Sequence, residues 1–193
     1  MTNLPRLISS RDSLSEIDPK RISRSKNALS IARAEVISSY RSLIRSYGRD
    51  PTKRRPSSER IRQMISRGKL SVEHPAVLAY NLVSAATGIV LSGFDKQKIS
   101  GEISLGSWRG EVELIDGSTI ELSGKEILLI DSEKPLSIVP YMDTAYAKID
   151  DSTREAIFVP HIVQGIPPTL ALRSLRRLSE ILASIGAKTV LEL

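Results

Sequence analysis

The first part of the chain has the hydrophobic spacing of α-helices. Between residues 29 and 47, apolar side chains recur at intervals of three and four, and these intervals place them on one face of a helix. Gly48 follows as a helix stop. Basic residues repeat every four positions beside this face, at Arg41, Arg45 and Arg49. The members of the apolar stripe are Leu29, Ala32, Val36, Tyr40, Leu43 and Tyr47.

A second helix is predicted after the connector RDPTKRRPSSE, which carries two prolines and four basic residues. Ser57 or Ser58 is predicted to cap this helix, and Gly68 is predicted to end it. The inward face is expected to consist of Ile61, Met64 and Ile65. The outward face is expected to consist of Arg60, Arg62 and Arg67.

A third helix is predicted in the segment HPAVLAYNLVSAATG, which is apolar almost all round and is therefore expected to be buried. Pro75 lies in its first turn and Gly88 at its end. Asn81 is the main polar residue near its centre. Because a buried amide needs hydrogen-bond partners, Asn81 is expected either to hold a neighbouring loop or to face a polar pocket.

From Ile89 onward the hydrophobic period changes to two, which is typical of β-strands. Short strands are predicted in IVLSGFD, EISLGSW, EVELI, STIEL, EILLID and SIVPYM. Asp116 and Gly117 separate EVELI from STIEL and indicate a two-residue hairpin turn. A further strand, EAIFVPHIV, precedes a last helix that ends at Gly186, and TVLEL is expected to follow as a closing strand. The apolar face of that helix consists of Ala171, Leu175, Leu178, Leu182 and Ile185.

The order of these elements predicts an α+β fold. N-terminal helices come first, a β-rich mixed sheet or sandwich follows, and a strand–helix–strand unit ends the chain. Residues 1–27 show no sustained apolar period and are expected to form a flexible basic arm or one short helical turn. Residues 28–193 are expected to form a single domain, with a basic helical part over 28–70 and a pocket-bearing α+β part over 71–193.

The charge of the chain is unevenly distributed. The formal net charge of the 193 residues is +6. Residues 1–70 hold 17 Lys and Arg against 6 Asp and Glu, whereas residues 71–193 hold 11 against 16. This asymmetry favours a polyanionic partner for the first third, with nucleic acid as the main candidate. The alternative is an arginine-rich helical surface that is simply solvated.

The composition excludes several kinds of site. The chain has no cysteine, which rules out a disulfide framework, a thiol nucleophile and zinc sites with sulfur ligands. The two histidines, His74 and His161, do not share the spacing of metal ligands, and His161 is expected to be structural. The pair Asp150–Asp151 indicates a turn. No metal and no cofactor is therefore expected. No segment approaches the roughly 20 apolar residues of a membrane span. With no signal-peptide pattern at its start, the protein is expected to be cytoplasmic.

Three segments match one protein family in order and spacing. They are SSYRSLIRSYGRDPTKRRPSSERIRQMISRGKL, HPAVLAYNLVSAATGIVLSGFDKQKISG and MDTAYAKIDDSTREAIFV. Together they resemble the editing module of the phenylalanyl-tRNA synthetase beta subunit, and they are more similar still to its free-standing relatives. The resemblance covers roughly residues 35–190, and the free-standing members usually open with a strand that the sequence pattern here does not predict.

The resemblance implies an α+β fold with a pocket between the buried helix and the sheet. In the synthetase this module hydrolyses tyrosine that is wrongly attached to the phenylalanine tRNA, so the resemblance also implies tRNA as partner and an aminoacyl ester as substrate. Such an ester is already activated. Its hydrolysis needs a positioned water and orienting polar groups more than a strong base, and the absence of a catalytic triad or metal motif is compatible with it.

The resemblance also implies which residues form the pocket. Asn81 falls on an asparagine of the family's pocket motif, and Ser92 falls where bacterial synthetases have a histidine. Ala145 stands at the position of a pocket glutamate. The implied catalytic residues are Asn81, Ser92, Asp143 and Thr144. The implied substrate-pocket residues are Tyr80, which replaces a threonine of bacterial synthetases, Gly93 and Asp95.

Three functions remain open at this point because the family's histidine and glutamate are replaced at Ser92 and Ala145. The first is trans-editing, in which the protein binds tRNA and acts as an aminoacyl-tRNA deacylase without being a complete ligase. The second is a non-catalytic RNA-binding module. The third is a binder or hydrolase of a small amino-acid-like metabolite. For the first two, contacts with tRNA phosphates are expected from Arg41, Arg45, Lys53, Arg54 and Arg55.

Overall fold

The computed structural model of the protein describes residues 5–10, 33–72 and 74–192. Within these ranges the chain forms four α-helices and ten β-strands. The helices are α1 (Arg33–Ser46), α2 (Ser57–Ser66), α3 (Pro75–Thr87) and α4 (Pro168–Ser184). The strands are β1 (Arg6–Ser10), β2 (Leu91–Asp95), β3 (Ser104–Gly106), β4 (Arg109–Glu113), β5 (Thr119–Ser123), β6 (Leu128–Ile130), β7 (Pro135–Ile138), β8 (Met142–Asp143), β9 (Glu155–Pro160) and β10 (Lys188–Glu192).

The predicted α+β fold class is confirmed. The helices α1 to α3 precede a β-rich middle, and β9, α4 and β10 form the strand–helix–strand unit at the end. The first two positions of the predicted apolar stripe, Leu29 and Ala32, lie outside the described residues. Its later members Val36 and Tyr40 are buried on α1 as expected.

The first sheet is antiparallel and has the strand order β10–β1–β9–β2. In its middle, Leu7 of β1 lies opposite Leu191 on one side and Phe158 on the other. The prediction of a flexible arm or helical turn over residues 1–27 is therefore wrong for Arg6–Ser10, while residues 11–27 lie outside the described ranges. This strand is stabilised by pairing with strands that are distant in sequence, and such pairing leaves little local signal.

The second sheet, with the order β3–β6–β7–β8, packs against the first. Alternate residues of β9 show how the first sheet is covered on both faces. Ala156 and Phe158 pack under the helices, whereas Ile157 and Val159 pack between the two sheets. Because both faces are buried, β9 is apolar at nearly every position rather than at every second one.

β4 and β5 form a separate antiparallel hairpin that covers the second sheet. The backbone N–H of Leu114 donates to the carbonyl of Ser118 over 2.7 Å, so the loop consists of residues 115–117. The predicted hairpin is confirmed, but its loop is one residue longer than the predicted two. Gly117 has a φ of 80°, which is the left-handed conformation that the last position of a three-residue hairpin loop requires.

α2 differs from its prediction in its cap and in its exposed face. The residue that precedes it is Pro56, which forms no side-chain cap, and Ser57 and Ser58 are buried in the first turn. The expectation that Ile65 faces inward is wrong, since 38% of this residue is exposed. Arg60, expected on the outer face, is half-buried beside α3 and the β4–β5 loop.

α3 is buried as predicted and ends at Gly88, whose φ of 83° is the left-handed conformation of a helix C-cap. Its Tyr80 ring packs so closely on β2 that a Cβ atom at Gly93 would lie 2.8 Å from Tyr80 Cε1. Glycine is therefore required at position 93 to seat this ring. None of the described helices is long and apolar enough to cross a membrane.

The position of β1 predicts a large loss of stability in the Leu7→Ala variant. Leu7 is completely buried between the first sheet and the helices, so truncation removes apolar contacts and leaves a cavity. We expect the free energy of unfolding to fall by about 2 to 5 kcal/mol in urea denaturation. Val190→Ala on the neighbouring β10 is the control, because 59% of Val190 is exposed. Equal stability of the two variants would contradict the placement of β1.

Candidate functional site

A cavity of about 330 Å³ lies between α2, α3 and the strand ends of both sheets. This volume is at the lower end of the range that accommodates small-molecule ligands. Its apolar wall includes Ile61, Met64, Val77, Leu91 and Met142. Its polar groups come from Arg60, Tyr80, Asn81, Asp116, Asp143 and His161. The cavity therefore combines an apolar surface with convergent polar groups, which is the usual composition of a binding site.

Beside the cavity, the side chains of Ser92, Ser137, Asp143 and His161 form a hydrogen-bonded group that we call the Ser92 cluster. Ser92 Oγ donates to Asp143 Oδ1 over 2.5 Å. The same oxygen lies 2.8 Å from His161 Nε2 and 3.2 Å from Ser137 Oγ. Ser92 is thus the central member of the cluster.

Strand pairing brings the cluster together. Ser92 lies opposite Val159 in the first sheet, so His161, two residues further along the chain, is on the same side as Ser92. Ser137 lies opposite Asp143 in the second sheet. Tyr40 of α1 fixes this end of the first sheet, since its hydroxyl donates to the carbonyl of His161 over 2.6 Å and accepts from the N–H of Val90 over 3.1 Å.

The Ser92 cluster contains the residue types of a catalytic triad but not its arrangement. In a triad the histidine lies between the serine and the carboxylate, whereas here Ser92 lies between His161 and Asp143. Ser92 is 1% exposed and does not line the cavity. The geometry therefore makes Ser92 a residue that positions Asp143 and not a nucleophile that reaches a ligand.

The hydrogen bonds also determine the tautomer of His161 when Asp143 is ionised. The single hydroxyl proton of Ser92 is donated to Asp143, so His161 Nε2 must carry the proton that Ser92 Oγ accepts. The other ring nitrogen, Nδ1, is buried without a hydrogen-bond partner among the described residues. Burial lowers the pKa of His161 to about 3, which keeps the ring neutral near pH 7.

Of the two titratable groups of the cluster that line the cavity, Asp143 is the one whose pKa lies close to neutral. Burial raises its pKa to about 6, against the opposing effects of hydrogen bonds from Ser92, Ser137 and the Gly93 backbone and of the positive charge of Arg60. The carboxyl group therefore changes its protonation state close to neutral pH. A carboxylate with such a pKa can take a proton from water more readily than an ordinary aspartate.

Asn81 and Tyr80 present polar groups to the same cavity. Neither side chain forms a hydrogen bond with the described part of the chain, so of the two expectations for Asn81 the structure favours the pocket and not the loop. Burial raises the pKa of the Tyr80 hydroxyl, and the charge of Asp143 raises it further. Tyr80 is therefore a neutral hydroxyl, and both residues are available to bind a ligand.

The other residues implied by the resemblance lie outside the cavity lining. Asp95 is buried and accepts hydrogen bonds from the Gln97 N–H and the Thr153 hydroxyl, so it holds the turn after β2. Thr144 donates to the carbonyl of Pro135 over 2.7 Å. These contacts account for both side chains structurally. Gly93 contributes through the close approach of Tyr80 described above, and Ala145 is likewise absent from the cavity wall.

The five basic residues expected to bind tRNA differ in their availability. Arg41 forms a two-point ion pair with Glu59 of α2. Arg45 and Lys53 are exposed and have no ion pair within the described ranges. Arg54 donates to the Tyr141 hydroxyl over 2.8 Å, and Arg55 donates to Gln63 Oε1 over 2.7 Å.

Sequence reasoning missed three titratable residues of the cavity wall, His161, Arg60 and Asp116, the last of which was assigned only to the hairpin turn. His161 was expected to be structural because it lies in an apolar strand segment. Its approach to Ser92 follows from the register of β2 and β9, which the sequence pattern does not give. Arg60 was assigned to the outer face of its helix, and its place in the cavity depends on the β4–β5 loop packing nearby.

The fold and the cavity define the protein as an α+β domain with a ligand-sized cavity between helices and sheets. In the described residues, no group of three or more His, Cys, Asp and Glu side chains is arranged to hold a metal ion. The chain belongs to the B3/4 domain family, which matches residues 39–185.

Similar proteins are beta subunits of phenylalanine–tRNA ligase. The chain is 29% identical over 154 residues to the subunit of Legionella pneumophila (strain Lens), covering 67% of this chain and 19% of that protein. It is 24% identical over 121 residues to the subunit of Shewanella oneidensis, covering 59% of this chain and 15% of that protein. The chain thus spans about a fifth or less of the length of these relatives.

Among solved structures, an N-terminal fragment of the phenylalanyl-tRNA synthetase beta subunit from Pyrococcus horikoshii is similar to this chain. The TM-score is 0.48 and the sequence identity is 16%. The similarity covers 62% of this chain and 43% of that one.

The raised pKa of Asp143 predicts how the stability of the Asp143→Asn variant compares with the wild type at different pH. The folded state binds this proton more tightly than the unfolded state, so the contribution of Asp143 to stability is fully present below about pH 4 and is lost as the pH rises to about 6. Between pH 4 and 6, we expect the unfolding free energy of the variant to rise by about 1 to 2 kcal/mol relative to that of the wild type. This figure allows for the partial exposure of Asp143.

Urea denaturation of both proteins between pH 4 and 7 measures this shift. Asp131→Asn is the control: burial raises the pKa of Asp131, but backbone hydrogen bonds from Ser100, Lys134 and Glu133 outweigh it and lower the pKa. A lowered pKa confines the titration of this group to below about pH 4, so the stability of that variant relative to the wild type should be nearly constant between pH 4 and 7. A pH-independent difference for Asp143→Asn would contradict a raised pKa.

Proposed function

We propose that the protein binds tRNA and hydrolyses the ester bond of a wrongly attached amino acid. The observation that carries this proposal is the Asp143 carboxyl group, which faces a ligand-sized cavity with a pKa of about 6. Membership of the B3/4 domain family and the similarity to phenylalanine–tRNA ligase beta subunits support the choice of substrate class.

The proposed chemistry needs one proton acceptor and one attacking water. Asp143 takes a proton from a water molecule in the cavity, and the oxygen of that water attacks the ester carbonyl carbon. The bond between this carbon and the ribose oxygen then breaks, and the proton passes to the ribose oxygen. The products are the free amino acid and uncharged tRNA. Asn81, whose amide faces the cavity, orients the ester or the water.

In this proposal Ser92 and His161 are positioning residues. Ser92 holds one carboxylate oxygen of Asp143, and His161 in turn donates to Ser92. These hydrogen bonds fix the orientation of the carboxylate that faces the cavity. A serine at position 92 is thus compatible with hydrolysis, because the base is Asp143 and not the residue at position 92.

The basic connector lies directly beside the cavity. The Ser57 N–H donates to the carbonyl of Pro140 over 3.1 Å, and Arg54 donates to the Tyr141 hydroxyl. Met142 and Asp143 follow at once in the chain. A tRNA end that enters the cavity would therefore pass the connector, and this supports a role for Lys53, Arg54 and Arg55 in phosphate binding.

Deacylation of a panel of correctly and wrongly charged tRNAs tests the activity, with tyrosine on the phenylalanine tRNA included. We expect selective release of one wrong amino acid at a rate that falls as the pH drops below about 6, where Asp143 becomes protonated. Asp143→Asn should reduce the rate by roughly 10² to 10⁴-fold and remove this pH dependence. Asn81→Ala should also reduce the rate.

The control for this assay is Asp151→Asn, which changes an exposed carboxylate outside the cavity and should leave the rate unchanged. If Asp143→Asn deacylates as fast as the wild type, the assignment of the base is wrong. If no tRNA in the panel is deacylated but tRNA is still bound, the protein is a non-catalytic RNA-binding module. If neither occurs, a small amino-acid-like ligand becomes the main candidate.

The tRNA-binding part of the proposal predicts a salt-dependent affinity. Each phosphate contact that is removed should reduce the slope of log K against log salt by about one. We therefore expect the double variant Arg45→Ala/Lys53→Ala to bind tRNA more weakly with a slope smaller by about two. Arg173→Ala/Arg176→Ala removes two exposed arginines from α4 and serves as a control of equal charge. Equal effects of both double variants would indicate attraction by net charge and no defined contact.

A further inference from the structure

Arg60 lies in the cavity wall and has no carboxylate partner among the described residues. It belongs to α2 and is half-buried between that helix and Met142, whose Sδ lies 3.8 Å from Arg60 Nη1. No carboxylate of the described residues is within ion-pairing distance of its guanidinium. Two nearby arginines differ from Arg60 because each forms an ion pair: Arg41 is paired with Glu59, and Arg49 is paired with Glu126.

The acidic residues of the cavity wall are already engaged elsewhere. Asp116 accepts hydrogen bonds from the N–H and the hydroxyl of Ser118 within the β4–β5 loop. Asp143 accepts from Ser92. Arg60 acts on both carboxylates through its charge, but it forms an ion pair with neither.

A guanidinium in this position has unused hydrogen-bonding capacity. It carries five N–H donors in one plane, and a thioether sulfur is a weak acceptor for any of them. Half-burial restricts its access to water, and the cavity is the open space that the side chain faces. The paired donors of an arginine match the two oxygens of a carboxylate or phosphate. Such an anion would satisfy N–H donors that the described residues leave without a strong acceptor.

We propose that Arg60 binds an oxyanion of the ligand that occupies the cavity. The inference rests on the proposed function for the source of this anion, which in an aminoacyl-tRNA is either a carboxylate on the attached side chain or the phosphate next to the terminal ribose. Arg60 and Asp143 then hold the substrate from two walls of the cavity. Arg60 binds the anion, and Asp143 faces the reacting ester.

Binding of two matched pairs of small probes tests this inference without requiring hydrolysis. The α-amides of L-glutamate and L-glutamine differ in the side-chain carboxylate and lack the free α-carboxylate of the parent amino acids, and AMP and adenosine differ in the phosphate. By isothermal titration calorimetry, we expect the anionic member of one pair to bind at least about tenfold more tightly than its neutral counterpart. Preference for the glutamate α-amide identifies a side-chain carboxylate as the anion, and preference for AMP identifies the phosphate.

Arg60→Gln should abolish this preference. Arg62→Gln is the matched control, because Arg62 is an exposed arginine of the same helix that does not line the cavity, and the preference should persist in it. If Arg60→Gln does not fold, Arg60→Lys keeps the charge but loses the planar fork, and the preference should fall severalfold. The inference is overturned if neither pair shows a preference, if the preference survives in the Arg60 variant, or if both variants lose it equally.

Failure of this inference is distinguishable from failure of the proposed function. The same wild-type preparation is assayed for deacylation of the charged tRNA panel. An Arg60-dependent anion preference without deacylation supports the anion site and contradicts the hydrolase. Deacylation without an anion preference supports the hydrolase and contradicts the anion site.

Discussion

The hydroxyl group of Ser92 joins the two main sheets, and the geometry of the candidate site depends on it. Ser92 and His161 belong to the side of the first sheet that faces the second, while Ser137 and Asp143 are paired in the second sheet. The buried hydroxyl oxygen of Ser92 contacts Ser137 and Asp143 across this boundary, and it also contacts His161 of its own sheet. Removal of that oxygen would leave a buried histidine and a carboxyl group without their shared partner, which is more costly than the loss of one exposed hydrogen bond.

At Asp143, the burial that makes the carboxyl group suitable as a base also lowers the stability of the folded protein at neutral pH. Its carboxyl group has a raised pKa because burial disfavours the charge more than Ser92, Ser137 and Arg60 favour it. The folded protein therefore carries an ionised group at neutral pH in surroundings that solvate it incompletely. Local rules of protein stability are commonly violated in this way at functional sites, where the geometry of a group matters more than its contribution to folding. By contrast, Asp131 is fully engaged by backbone N–H groups and has no such conflict.

Elements with a continuous hydrophobic period could be predicted from the sequence, and contacts set by strand register could not. The helix that contains Asn81 and the last helix followed from apolar spacing and terminal glycines. β1 did not, because a short segment with few apolar residues gains its stability from β9 and β10, which lie more than a hundred residues away. For the site, Asn81 was first indicated by its polar side chain in a buried helix, and Asp143 came from resemblance to a family. The contact of His161 with Ser92, in contrast, arises only when β2 and β9 pair in their particular register.

The sequence shows how many basic residues the first third contains, but it does not show which of them form ion pairs within the fold and which remain available to bind a ligand. Arg49 is bound to the buried carboxylate of Glu126 and to the Glu121 carbonyl, so this last of the three arginines spaced four residues apart is a structural link to the β-rich part. Arg41 joins α1 to α2 in the same way. Each such pair removes one cation from the surface that a polyanion would meet. In the proposed tRNA binding, the specificity of this surface would therefore come from the positions of the cations that the described residues leave unpaired, and the excess of positive charge in the first third would supply attraction without selecting a ligand.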